Sequence, residues 1–240
     1  MPLACFSGGH IAAGAFVMKK PLLVFSCIAI AVITALGEPK PKAVDLFNGR
    51  DLEGWTGYLV EEEVDPASVW FVRDGLLVCK GEPLGFLHTK EEYTNFDFEI
   101  EWRWAPGGEP GNNGVLMRIN GGPQKGVPRC IEMQLKHGQA GELYGFFGMK
   151  VDGDADRKFE VENHELVGDL SGVRAIKDLE KEPGEWNHAR ILAEGGNFKV
   201  WINGELANEA HSCEVISGPI GIQSEGGEIH FRKIRVTSLP

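Results

Sequence analysis

Asn95-Phe-Asp-Phe-Glu-Ile-Glu-Trp-Arg-Trp104 decides how the rest of the chain is read. Phe96, Phe98, Ile100, Trp102 and Trp104 fall on one side of a period-2 ribbon, and Asp97, Glu99, Glu101 and Arg103 on the other. That alternation predicts a strand with one buried and one wet face. Three more short strands are expected in Gly111 to Ile119, Pro128 to Lys136 and Gly141 to Gly145. In the first of these Arg118 stands opposite Val115, Met117 and Ile119. In the second, Glu132, Gln134 and Lys136 stand opposite Ile131, Met133 and Leu135. The expectation is one sheet built from these neighbours, with an apolar side facing the core. Its other side, dense in carboxylates, amides and cations, is the candidate site.

Upstream of this region, Val69 to Cys79 is a hairpin with Asp74-Gly75 as its loop, and Gly85 to Thr89 is another short strand. Downstream, Val151 to Gly184 is polar and acidic and predicts a long irregular excursion with one short helical turn near Val173 to Leu179. Strands return at Glu185 to Ala193, Asn197 to Asn203 and Gly218 to Glu225, and Glu228 to Val236 closes the chain. Asn203-Gly204 marks a tight turn. Many short strands with glycine-rich turns and no amphipathic helix predict an all-β, two-sheet sandwich.

The start of the chain has a different character. Met18-Lys-Lys opens a basic segment, Leu22 to Gly37 is an apolar run, and Ala35-Leu-Gly37 ends it with small residues, the pattern of a secretory signal. The expected organisation is therefore a signal peptide over 1–37 with translation starting at Met18, a linker over 38–43, and one domain over 44–240. Localisation is expected to be exported, periplasmic or extracellular. Removing Lys19 and Lys20 takes the formal net charge from −11 to −13. An acidic domain without a basic run argues against nucleic acid or, once the signal is cleaved, a membrane as partner. Cys79, Cys130 and Cys213 allow one disulfide at most and read as small core fillers.

Taken in order, the motifs resemble one family. They are Leu46-Phe-Asn-Gly with Gly54-Trp55, Phe96-Asp-Phe with Glu101-Trp-Arg103, Asn113-Gly with Arg118, Glu132-x-Gln134 and Leu143-Tyr-Gly145. Gly184-Glu-Trp-Asn187, Trp201-x-Asn-Gly204, Gly221-Ile-Gln223 and Phe231-Arg-Lys-Ile234 follow. The series is similar to the 3-keto-disaccharide hydrolase domain family, also called domain of unknown function 1080, over roughly Val44 to Leu239. The resemblance implies a concanavalin-A-like jelly roll of the lectin and glucanase type. It also implies an oligosaccharide or oxidised glycoside as partner. This chain has Asn112-Asn113-Gly114 where the family often has Asn-Ser-Gly, and Glu225-Gly226 where it often has His-Gly.

For a 3-ketoglycoside the chemistry follows from the carbonyl. It acidifies the C2 hydrogen, a base removes that proton, the group at C1 leaves, and water adds back. The resemblance points to Glu132 as base and Arg118 as oxyanion partner or sugar clamp, with Gln134 orienting. Glu101, His137, Tyr144, Asn113 and Gln223 are the further substrate contacts. Two other readings compete: a cross-strand Glu132–Arg118 ion pair on a solvated sheet, and a non-catalytic carbohydrate-binding module of laminin-G shape. Asp97, Glu99 and Glu101 alternate on one strand as in a glucanase-type carboxylate strand. Positions i and i+2 lie about 6.6 Å apart at Cα, which permits the roughly 5–5.5 Å carboxyl separation of a retaining enzyme. The glucanase spacing is not reproduced, and this reading ranks below the keto-sugar one. No cofactor or metal is expected. A calcium ion or other divalent metal at Asp152-Gly-Asp-Ala-Asp156 is the alternative, although Arg157 and Asn163 break the EF-hand pattern.

Overall fold

The computed structural model describes residues 41–240, so the expected signal peptide, and the linker up to residue 40, lie outside the described residues. Sixteen strands and one 3-10 turn (Pro66–Ser68) make up the described chain. In order they are β1 (Val44–Asp45), β2 (Trp55–Leu59), β3 (Trp70–Arg73), β4 (Leu76–Cys79), β5 (Gly85–Thr89), β6 (Phe96–Trp104), β7 (Gly114–Met117) and β8 (Ile131–Gln134). There follow β9 (Leu143–Gly145), β10 (Lys158–His164), β11 (Gly168–Val173), β12 (Asn187–Glu194), β13 (Asn197–Ile202), β14 (Glu205–Ala210), β15 (Gly221–Ser224) and β16 (Ile229–Ser238).

They form two antiparallel sheets. The first runs β14-β13-β12-β6-β16-β4-β3, with β1 also on β16; the second runs β10-β11-β9-β8-β7-β15-β5-β2. The fold is an all-β jelly-roll sandwich. β6 lies between β12 and β16, and its residues alternate between buried and half-exposed along its whole length. Its five apolar side chains share one core with Val115, Met117, Ile131, Met133 and Ile222 of the second sheet. Full burial of such a side chain contributes about 1.5–3 kcal/mol, so this strand is a principal anchor of the sandwich. Asp74-Gly75 and Asn203-Gly204 both have positive φ at the two turn positions, as a two-residue hairpin of right-handed twist requires.

Three expectations are corrected. β6 does not neighbour β7 and β8, because it pairs with β12 and the last strand in the opposite sheet. The face carrying Asp97, Glu99 and Glu101 is thus on the other side of the molecule from that carrying Glu132. The segment from Val151 to Gly184 is not wholly irregular, since β10 and β11 form a hairpin that extends the second sheet beside β9. Residues 173–179 contain no helical turn. All three cysteines are free and buried.

Candidate active site

The outer face of the second sheet carries the site. Glu132 of β8 pairs with Tyr144 of β9 on one side and Leu116 of β7 on the other, and Leu116 pairs with Gly221 of β15. Gln134 lies two residues beyond Glu132, and Gln223 two beyond Gly221, so strand alternation brings all of them to one face. Ile131 and Met133 point the other way, into the core. Phe146 and residues of the β10–β11 hairpin border this face, and with them the chain encloses a hollow of about 300 Å³. Glu132, Gln134, Tyr144 and Gln223 line it with Asn112, Lys136, Phe159, His164 and Glu225.

Glu132 is 1% exposed, and its Oε1 has no hydrogen-bond partner. Burial pushes its carboxyl well above the ordinary range, and the nearby Glu225 pushes it further. Glu225 is raised as well, again mainly by burial, with the side chains of Gln223 and Asn112 and the charges of Lys136 and His164 acting against the shift. The room for Glu132 comes from Gly114, across the ladder at the position facing Gln134.

The surrounding groups are held by identifiable partners. Gln134 Oε1 accepts from the backbone amides of Leu135 (2.9 Å) and Lys136 (2.8 Å), which leaves its NH2 to donate. The Tyr144 hydroxyl donates to Glu142, and burial followed by that bond raises the phenol, keeping it neutral. Tyr144 meets Phe159 edge-on at 5.7 Å between ring centres, joining the hairpin to the floor of the hollow. The Gln223 Oε1 and Asn112 Oδ1 atoms are buried without partners, as Glu132 Oε1 is. A hollow with several unpaired buried oxygens is built to receive donors, which is what sugar hydroxyls supply.

The remaining expected site residues lie elsewhere. Arg118 is not beside Glu132. β7 ends at Met117, and Arg118 has φ +53, which breaks the alternation and turns its side chain inward. Its guanidinium donates to the carbonyls of Thr94, Gly195 and Glu214 and stacks 4.9 Å from the centre of the Phe198 ring. The expected Glu132–Arg118 pair is therefore absent, and with it the solvated ion-pair reading. Glu101, on the opposite sheet, accepts from Arg232 (2.5 Å) and Lys233 (2.7 Å). Burial opposes its ionisation, but these two cations outweigh it and the carboxyl lies below its ordinary range. Asp97 is held by Arg190 at 2.8 and 2.7 Å, and Glu99 faces His188 at 3.7 Å, so each carboxylate of that strand has a cationic or imidazole partner rather than an open groove. His137 contacts Glu180 at 3.0 Å, outside the hollow. Asn113 is fully buried and donates to the Gln223 carbonyl, tying β7 to β15 from beneath.

Sequence reasoning left out Glu225, Asn112, His164 and Phe159. Glu225 was detectable as the residue two beyond Gln223, on the same face. The hairpin residues carried no comparable signal. At the calcium alternative, Asp152 holds Lys158 (3.1 Å) and Asp154 holds Arg157 (2.9 Å). Among the described residues no group of three or more His, Cys, Asp or Glu side chains is arranged to hold a metal ion.

The family described as the 3-keto-alpha-glucoside-1,2-lyase-like domain matches residues 42–237. The chain belongs to this family. A 3-keto-disaccharide hydrolase from Bacteroides thetaiotaomicron is 24% identical, over 82% of this chain and 78% of that protein. Among solved structures, a candidate glycosyl hydrolase from Parabacteroides distasonis superposes with a TM-score of 0.58 at 21% identity, over 82% of this chain and 94% of that one. A carbohydrate-binding module from Bacillus subtilis superposes with a TM-score of 0.54 at 16% identity, over 77% of this chain and 96% of that one. At these identities the two structures establish the shared fold.

Proposed function

We propose that the protein is an exported enzyme that cleaves 3-keto-glycosides, disaccharides among them, by removal of the C2 proton, loss of the C1 substituent and addition of water. The observation that carries this reading is Glu132: a buried carboxyl with an unpartnered oxygen at the floor of a polar hollow. A carboxylate retained for stability is paired, because an unpaired buried charge costs several kcal/mol, of order ~3–5. An unpaired one in a cavity is a functional candidate with a raised proton affinity suited to abstraction. Family membership and the name of the Bacteroides relative support the substrate class. The basic-then-apolar segment from Met18 to Gly37 supports export.

Glu132 takes the C2 proton. Gln134, whose amide oxygen is fixed by the backbone, presents its NH2 to the enediolate oxygen that develops, with Lys136 as the nearby positive charge. These two replace Arg118 in the stabilising role. Tyr144 and Phe159 supply an apolar wall for a ring face.

The test is product analysis by NMR in deuterated water, with a 3-keto-disaccharide and, separately, its unoxidised parent. Cleavage of the keto substrate alone, with deuterium at C2 and loss of both on Glu132→Gln, is the expected result. Cleavage of the parent would indicate a glucanase-type reaction. Saturable binding without turnover of either would make the domain a sugar-binding module.

A further inference from the structure

The hollow containing Glu132 does not end at Glu225. A second hollow of about 500 Å³ opens on the other side, lined by Glu61, Gly81, Glu82, Pro83 and Leu84. Glu225 is the lining residue that the two share. Its backbone is firmly placed. A methyl on Gly111 would lie 2.1 Å from the Gly226 carbonyl oxygen, and one on Gly81 2.6 Å from the Gly226 carbonyl carbon. The Asn112 amide also donates to that Gly226 oxygen at 3.0 Å. Three glycine-bearing segments thus pack backbone to backbone beside Glu225, whose side chain borders both chambers.

A disaccharide is two rings joined by one oxygen. If the oxidised ring occupies the inner hollow against Glu132, the outer hollow takes the leaving unit, and the bridging oxygen passes the residue common to both. We infer that Glu225 is the proton donor to the departing glycosidic oxygen, and that the outer hollow is the leaving-unit subsite. The assignment rests on the 3-keto-glycoside reading above.

The proton and electron balance closes. The Glu132 carboxylate removes the C2 proton, and the C2–H pair becomes the C1–C2 π bond as the C1–O bond breaks. The pair from that bond goes to the leaving oxygen, which takes the proton of Glu225. Water then adds across the double bond, its oxygen to C1. Glu225 removes a proton from that water, and Glu132 returns one to C2, so both carboxyls end as they began. Burial raises both carboxyls, and the Glu225 charge raises Glu132 further, so the two titrate as a coupled pair. Reaction proceeds from the form in which Glu132 is ionised and Glu225 carries the proton. That is the less populated form of the free protein, in which Glu132 is the more strongly raised of the two.

The experiment compares wild type and Glu225→Gln in the mature protein on two 3-keto-glucosides, one with a glucose leaving unit and one with 4-nitrophenol. Deuterium uptake at C2 is followed in the same samples. General acid assistance typically contributes about 10²–10⁴-fold. In a single turnover, before water addition contributes, the variant is expected to release glucose slower by about that factor, to release 4-nitrophenol, which departs unassisted, within a few-fold of wild type, and to keep C2 exchange. Retained 4-nitrophenol cleavage also shows that the variant is folded. Equal losses on both substrates, or none on either, would overturn the Glu225 assignment while leaving Glu132 in place. A wild type that neither exchanges nor cleaves the keto substrates would overturn the reading of the site itself, and Glu225 with it.

Discussion

A methyl group on Gly114 would lie 1.9 Å from Glu132 Oε1 and 2.6 Å from its Cδ. The carboxyl rests on the bare backbone of the neighbouring strand, so the glycine sets how deep in the hollow it sits. Gly114 does not have a positive φ, and alanine is therefore conformationally acceptable there. Gly114→Ala is expected to displace the carboxyl rather than unfold the domain. Overpacking costs about 1–3 kcal/mol, whereas a misplacement near 1 Å costs about 10²-fold in rate. Cleavage of a keto-disaccharide should fall by that order while thermal melting remains cooperative and only modestly lowered. A fully active Gly114→Ala would show that the Glu132 position is not critical.

The same carboxyl makes stability depend on pH. Glu132 and Glu225 are both raised in the folded protein by burial. A carboxyl with a raised folded value favours the folded state fully below the unfolded value, about 4.3 for glutamate, and that contribution is lost as pH rises through the folded value. Glu132→Gln removes the ionisation and keeps the shape. Urea denaturation should therefore give similar stabilities for wild type and variant near the ordinary carboxylate range. With rising pH the variant should become progressively the more stable of the two, because only the wild type has a buried carboxyl to ionise. Curves that remain parallel would mean that Glu132 does not titrate as a buried group.

Catalysis should report the pair in a different way. The base must be ionised and the acid protonated, so kcat/KM is expected to be bell-shaped, with apparent values that belong to the pair. Both groups are raised, which places the acidic limb above the ordinary carboxylate range. Glu225→Gln should remove the alkaline limb on the glucose leaving unit, leaving a profile that rises to a plateau. Measuring kcat/KM from about pH 4 to 9 spans both limbs.

How much of this was legible follows from what alternation encodes. The Phe96–Trp104 run predicts its buried face without error, because period-2 patterning is set by the residues themselves. It does not encode which strand lies alongside. β6 is followed in sequence by β7 and β8, yet it pairs with β12 and β16, more than 80 residues away. Glu101 was consequently expected in a site on the far side of the sandwich. Arg118 shows a second limit: one left-handed residue reverses a side chain, and no composition signal announces it at an arginine. The β10–β11 hairpin was missed because its first strand is almost entirely exposed, leaving no apolar face to detect. Glu132, Gln134, Tyr144 and Gln223 converged as expected because each occupies the solvent phase of a strand whose other phase is core.

Arg118 provides the sharpest separation of structure from chemistry. Its guanidinium satisfies three backbone carbonyls, at Thr94, Gly195 and Glu214, that meet where the sheets close. Burial lowers its proton affinity, but an arginine remains charged, and its charge is spread over those acceptors. Arg118→Met keeps the stem and its packing near Phe198 while stranding the three acceptors. Each unsatisfied buried group costs about 1–3 kcal/mol, so a loss of at least ~3 kcal/mol in chemical denaturation is expected. At a temperature where the variant is still folded, kcat on the keto substrate should stay near wild type, since the side chain does not reach the hollow. A variant of unchanged stability that has lost kcat would return Arg118 to the reacting groups and require the hollow to rearrange on binding.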